Sequence, residues 1–127
     1  MLKGENAFSG FSVNHLGDAR KFYEGTLGLE MEGDEAMGLR LKVAGPHGVF
    51  VYSKDDHVPA TYTILNFRVP DIDAAVDELA AKGVKFELIP GVTDHKGVAR
   101  GKSVGRGPDI AWFKDPAGNF LSVLNED

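Results

Sequence analysis

The chain has 127 residues, 43% apolar and 26% charged, the size and balance of one globular domain with a buried core. A net charge of −5 without any cluster of Lys and Arg argues against a nucleic-acid partner, and no apolar run approaches the roughly 20 residues of a membrane helix. Cysteine is absent, so neither disulfides nor thiolate chemistry arise; Met1 to Asn6 lack the apolar stretch of a secretory leader, and a cytoplasmic protein is expected.

In chain order, the residues from Phe8 to Val13 read as a strand, followed by a turn and a helix. The helix stripe is Leu16, Ala19, Phe22, Tyr23 and Leu27, ending at Gly28. His15 stands at the capping position as a weak cap, with Asn14 the alternative one residue earlier. Strands at Leu39–Val43 and Val49–Tyr52 flank the hairpin loop Ala44-Gly45-Pro46-His47-Gly48. The pattern then repeats. Val13, Leu16 and Ala19 match Val69, Ile72 and Ala75; after a single-residue slip, Gly28, Leu29, Met31 and Glu32 match Gly83, Val84, Phe86 and Glu87. The second helix carries Ile72, Ala75, Val76, Leu79 and Ala80 on one stripe, with Asp71 as cap and Gly83 as stop. Pro90 to Pro108 contains five glycines, together with Arg100, Lys102 and Arg106, and reads either as a binding loop or as a solvated surface loop. A last hairpin joins Ile110–Phe113 to Phe120–Leu124 through Asp115-Pro116-Ala117-Gly118-Asn119. The expected fold is α+β: one domain, 1–127, of two βαβββ modules, the first about 7–54 and the second about 61–125.

Phe22-Tyr23 followed by Leu27-Gly28-Leu29, and Asp115-Pro116-Ala117-Gly118-Asn119 before an apolar strand, resemble two signatures of the vicinal-oxygen-chelate superfamily. This superfamily comprises glyoxalase, bleomycin-resistance and extradiol-dioxygenase-like proteins. The resemblance spans roughly residues 7 to 125 and implies a curved mixed sheet around a cup. In most enzymes of that superfamily the cup seats a divalent metal that polarises substrate oxygens. Carried over by motif, its ligand positions fall on Phe8, five residues before Val13; on Ile64, five before Val69; and on Ser122, seven after Asp115. The remaining position falls on Val51, with Tyr52 the alternative because no motif sets the register there. Phe, Val, Ile and Ser are not a metal-binding set. His15, His47, His57 and His95 all fall in turns or loops. No metal and no other cofactor is expected, and glyoxalase or dioxygenase chemistry that depends on a metal is not.

Alternation along strands then defines the inward set implied by the resemblance. Phe8, Gly10 and Ser12 share a face, as do Ile64, Asn66 and Arg68; Ile110 and Trp112, with Phe120, Ser122 and Leu124, complete it. The lining is apolar and aromatic with polar points at Ser12, Asn66, Arg68 and Ser122, the make-up of a small-molecule pocket. Each residue also has a plainer reading, as core for Phe8, Ile64, Ile110, Leu124 and Trp112, or as a solvated rim for Arg68. His57, in the loop entering the second module, is the candidate general base, since histidine exchanges protons near neutral pH.

Three functions follow. The first is a metal-free binder of a planar or aromatic small molecule, akin to the bleomycin-resistance branch. The second is a metal-independent isomerase or lyase of the same superfamily, using His57. The third is a non-catalytic scaffold or regulatory module. By analogy with the superfamily a homodimer is expected, with a small-molecule ligand and neither nucleic acid nor membrane as partner.

Overall fold

The computed structural model describes residues 1–127, which divide into two compact units, Met1–Pro59 and Ala60–Asp127. In the first, β1 (Ser9–Val13) leads to α1 (Leu16–Arg20), then to β2 (Met31–Asp34), β3 (Gly38–Leu41) and β4 (Val49–Ser53). The strand order is β1-β4-β3-β2, with β1 parallel to β4 and the other pairs antiparallel. In the second, β5 (Thr63–Arg68), α2 (Ile72–Ala81), β6 (Val98–Arg100), β7 (Asp109–Lys114) and β8 (Phe120–Asn125) form a sheet of order β5-β8-β7-β6, with the same mixture of pairings. The α+β fold of two βαβββ units expected from the repeat is present, each unit with its own four-stranded mixed sheet.

The helices begin and end where the residues dictate. Asp71 accepts a hydrogen bond from the Ala74 backbone N–H at 3.0 Å, and Gly83 (φ 94°) takes the left-handed turn that stops α2. His15 holds the cap position of α1 but makes no side-chain cap. From Lys21 to Thr26 the first helix widens into π geometry, with the Leu27 N–H reaching back five residues to the Phe22 carbonyl at 2.9 Å. Within this widened turn Tyr23 is wholly buried, packed edge-on to Phe22 at 5.3 Å and near Phe11 at 6.0 Å.

The hairpin between β7 and β8 is held by its own side chains. Asp115 accepts from the Ala117 and Asn119 backbone N–H groups at 3.0 and 2.9 Å, and the Asn119 amide donates to Asp115 at 3.1 Å. Gly118 supplies the positive φ (86°) that the turn requires. Asp115 and Asn119 are both buried, and Asn119 Oδ1 also accepts from the Ala60 N–H at 3.2 Å, which explains why these residue types stand there.

The segment after Gly83 makes one bridge only, Phe86 to Phe113, while β6, inside the glycine-rich stretch, pairs farther along β7. Pro90 to Pro108 is therefore largely organised. Arg100 donates to Asp73 on α2 and to Asp94; Lys96 also reaches Asp73 at 2.9 Å. Hydrogen bonds from Arg100 and then Lys96 hold the Asp73 carboxyl far below the usual carboxylate range. A depressed folded-state pKa means stability that is present above the ordinary value of 3.8 and lost as pH falls toward the folded one. The carboxylate is 47% exposed, so the effect is about 1 kcal/mol or less. Asp73→Asn is expected to lower the melting temperature at pH 6, and the deficit should shrink progressively in melts below about pH 3, as the wild type's stabilisation is lost between the unfolded and the folded pKa. An equal deficit at both pH values would contradict this assignment.

Candidate functional site

Each helix covers one face of its sheet and leaves the other uncovered. In the first unit the covered face is built from Val13, Leu39, Leu41, Val49 and Val51, all buried. Pairing fixes the opposite face: Gly10 lies against Phe50 and Ser12 against Tyr52, with Arg40 beyond Phe50 and Glu32 beyond Arg40. Here one expectation fails. Val51 pairs with Phe11, whose ring packs on Tyr23 of the helix, and it is completely buried; the uncovered position on β4 belongs to Tyr52 and Phe50. The cause is parity, since β4 is apolar on both faces and alternation alone could not say which set turned toward the helix.

Phe50 and Tyr52 stack at 5.7 Å with their planes 18° apart, each 36% exposed. Gly38 makes room for this pair: a Cβ there would lie 2.4 Å from Phe50 Cζ, on a backbone with φ 124°. Phe8, just before β1, is 65% exposed and borders a broad hollow of about 560 Å³ with Glu5, Pro46, His47 and Val49. His47 is engaged there with the Glu5 carbonyl at 2.8 Å.

The loop after β4 brings His57 back to the sheet. Its Nδ1 lies 2.6 Å from Ser12 Oγ, so the candidate base from the loop entering the second module meets a polar residue of β1 in the folded chain. A turn closed by the His57 N–H on the Lys54 carbonyl at 3.0 Å sets this path. Beside it, the hydrogen bond from Lys54 holds the Asp56 carboxyl below its ordinary range. An imidazole nitrogen in contact with a hydroxyl can accept or donate a proton according to its tautomer, which equips the pair for proton transfer.

In the second unit the uncovered face carries a grid. Asn66, Ser122 and Trp112 lie side by side across β5, β8 and β7; Arg68, Leu124 and Ile110 form the next row, and Phe120 pairs with Lys114 in the row before. The expected face is therefore shared by Asn66, Arg68, Ile110, Trp112, Ser122 and Leu124. Ile64 is half-buried at a bulge where the β5–β8 register shifts. Ser122 is wholly buried and its Oγ meets Asn66 Oδ1 at 2.5 Å. Arg68 pairs with Glu126 at 3.2 Å, and Lys114 sits 5.0 Å over the Phe120 ring.

The residues do not suit a chelated metal. Phe8, Ile64 and Tyr52 offer no imidazole or carboxylate, and the hydroxyl of Ser122 is committed to Asn66. Nowhere in residues 1–127 do three His, Cys, Asp or Glu side chains gather into a group able to hold an ion. Glu32 on β2 pairs with Arg40, and Glu30 and Glu87, outside the strands, pair with Lys42 and Lys114. Phe50, Gly38 and Lys114 went unremarked in the sequence; the glycine-to-aromatic fit between neighbouring strands has no local signal.

A family model for the Glyoxalase/Bleomycin resistance protein/Dioxygenase superfamily matches residues 8–123. No curated protein matches the chain in sequence. Among solved structures, the fosfomycin resistance protein FosX from Listeria monocytogenes is similar with a TM-score of 0.69 at 16% identity, covering 100% of this chain and 96% of that one. TnmS3, an antibiotic binding protein from Streptomyces sp. CB03234, gives 0.65 at 20% identity, with 99% and 100% covered. A glyoxalase family protein from Enterococcus faecalis gives 0.64 at 20% identity, with 98% and 99% covered. At these identities the likeness is one of fold.

The Gly38 fit yields a direct check. Gly38→Ala is expected to displace the Phe50 ring, to destabilise the protein by about 1–3 kcal/mol in denaturant titrations, and to diminish the near-ultraviolet circular dichroism. Unchanged values in both measurements would show that the Phe50–Tyr52 stack does not depend on this glycine.

Proposed function

The chain belongs to the glyoxalase/bleomycin resistance protein/dioxygenase superfamily, and from this and its side chains we propose that it binds a planar or aromatic organic molecule without the help of a metal. The observation that carries this reading is the Phe50–Tyr52 stack on an uncovered sheet face. Exposed aromatic faces in a soluble protein are costly to hydrate and gain about 0.5–1.5 kcal/mol per ring contact when covered by another aromatic group. Trp112 and Phe120 offer a second such surface in the second unit. Phe8, Ile64 and Ser122 stand where the resemblance expects metal ligands, which favours binding over metal chemistry. In this reading residues 1–127 act as one domain of two modules, in a cytoplasmic homodimer with neither nucleic acid nor membrane as partner. FosX and TnmS3 bring antibiotics into consideration as ligands.

Trp112 is the only tryptophan, so its fluorescence reports on the second unit without ambiguity. Titration with planar aromatic compounds, antibiotics among them, is expected to shift or quench that emission with saturable affinity. Tyr52→Ala and Phe50→Ala should each weaken binding by roughly three- to ten-fold in calorimetry. The reading fails if a broad panel gives no saturable binding, or if binding requires about one divalent ion per chain.

The contact between Ser12 and His57 favours a second reading, a metal-independent isomerase or lyase in which His57 takes a proton from the bound molecule while Ser12 positions the ring. Such an enzyme exchanges a ligand C–H with solvent. Proton NMR in deuterated water should then show loss of one ligand signal, slowed at least 100-fold by His57→Asn. Exchange at the wild-type rate in that variant would dismiss His57 as the base.

A further inference from the structure

The grid on the second unit holds a more specific piece of chemistry, which rests on the binding reading above. Ser122 Oγ and Asn66 Oδ1 are 2.5 Å apart. That spacing is normal for O–H···O and too short for N–H···O, so the serine hydroxyl donates and the amide oxygen accepts. The direction matters because an Asn side chain otherwise offers a donor end and an acceptor end interchangeably. Ser122 is wholly buried and fixed in the middle of three strands, so from the neighbouring strand it orients the acceptor end of Asn66 toward itself. The amide nitrogen then points away from Ser122. Asn66 is exposed, and no protein group accepts a hydrogen bond from its Nδ2.

From this we infer that Asn66 is a specificity residue that selects ligands presenting an acceptor oxygen, such as a ketone, ester or amide carbonyl on a planar body. Trp112, two strands away in the same row, together with Ile110 in the next, both half-buried, provides the apolar surface for that body. An amide with both N–H groups available can serve one carbonyl oxygen or two neighbouring ones. A ligand that offers only donors, an ammonium for example, meets the wrong end of the dipole. Arg68 does not duplicate this role, because it lies in the next row and is paired with Glu126 at 3.2 Å.

Three probes that share a naphthalene body separate the contributions: 2-acetylnaphthalene carries an acceptor, 2-ethylnaphthalene carries neither group, and 2-(aminomethyl)naphthalene carries a cationic donor. Dissociation constants would be measured by ligand-detected NMR and calorimetry on the intact chain. The wild type is expected to bind the acetyl compound about ten-fold more tightly than the ethyl compound, and the aminomethyl compound least. Asn66→Asp replaces the donor by an anion and should reverse the order, with the aminomethyl compound tightest. Ser122→Ala frees the amide to turn over, so the handicap of the aminomethyl compound should narrow while the ethyl affinity changes little. Melting curves for both variants establish that they are folded, and the wild-type ratio needs neither. Equal wild-type affinities for the acetyl and ethyl compounds would overturn the role of Asn66 and leave the binding reading standing. If none of the three binds, this inference falls, and the binding reading is then decided by the broader panel.

Discussion

A sheet has two faces, and in each unit of this chain only one helix is available to cover them. Burial of the helix-covered face accounts for the core: Val13, Leu39, Leu41, Val49 and Val51 in one unit, Val98, Ala111, Phe113, Leu121 and Val123 in the other. Alternation then delivers every second residue of each strand to the uncovered face, whatever its chemistry. Most of those positions stay exposed or half-buried, with Ser122 and Leu124 among the buried exceptions. What occupies them, an aromatic pair, a serine beneath an asparagine, a tryptophan, is therefore the most informative part of the sequence about function.

The charges fit the same division. A net charge of −5 suggests an anionic surface, yet the acids on or beside the strands are matched locally, Glu32 by Arg40 and Glu87 by Lys114. The strongest electrostatic arrangement, Asp73 with Arg100 and Lys96, ties α2 to the segment bearing β6 on the covered side. On the uncovered faces the charges are engaged, Arg40 with Glu32 and Arg68 with Glu126, beside the Phe50–Tyr52 stack and the Ser122–Asn66 hydrogen bond.

Much of this was legible in the sequence, for identifiable reasons. The second helix announced itself through the Asp71 cap and the Gly83 stop, and the β7–β8 hairpin through side chains that hydrogen-bond within five residues. Strands β5, β7 and β8 could be read for facing because the resemblance fixes an inward position on β5 at Ile64 and on β8 at Ser122, and implies Ile110 and Trp112 inward on β7. Strand β4 could not, since Val49, Phe50, Val51 and Tyr52 present no polar face, and the choice of Val51 over Tyr52 went the wrong way. The return of His57 to Ser12 spans 45 residues and depends on the path of one loop, for which no local pattern exists. The division of the edge of the second sheet between Phe86 and β6 escaped for the same reason.

That divided edge has an evolutionary consequence. The excursion between Phe86 and Val98 is closed on itself at its far end, where Asp94 accepts hydrogen bonds from the Lys96 and Val98 backbone N–H groups at 2.9 Å each. Both flanks are thus anchored to β7 independently of the residues between Leu88 and Thr93. Insertions or deletions in that interval leave the ladder in register, and doubling the length of a flexible loop costs only about 0.6 kcal/mol in closure entropy. A change of length there would remove the turn that Ile89 and Thr93 close between themselves, but no pairing of β6 with β7.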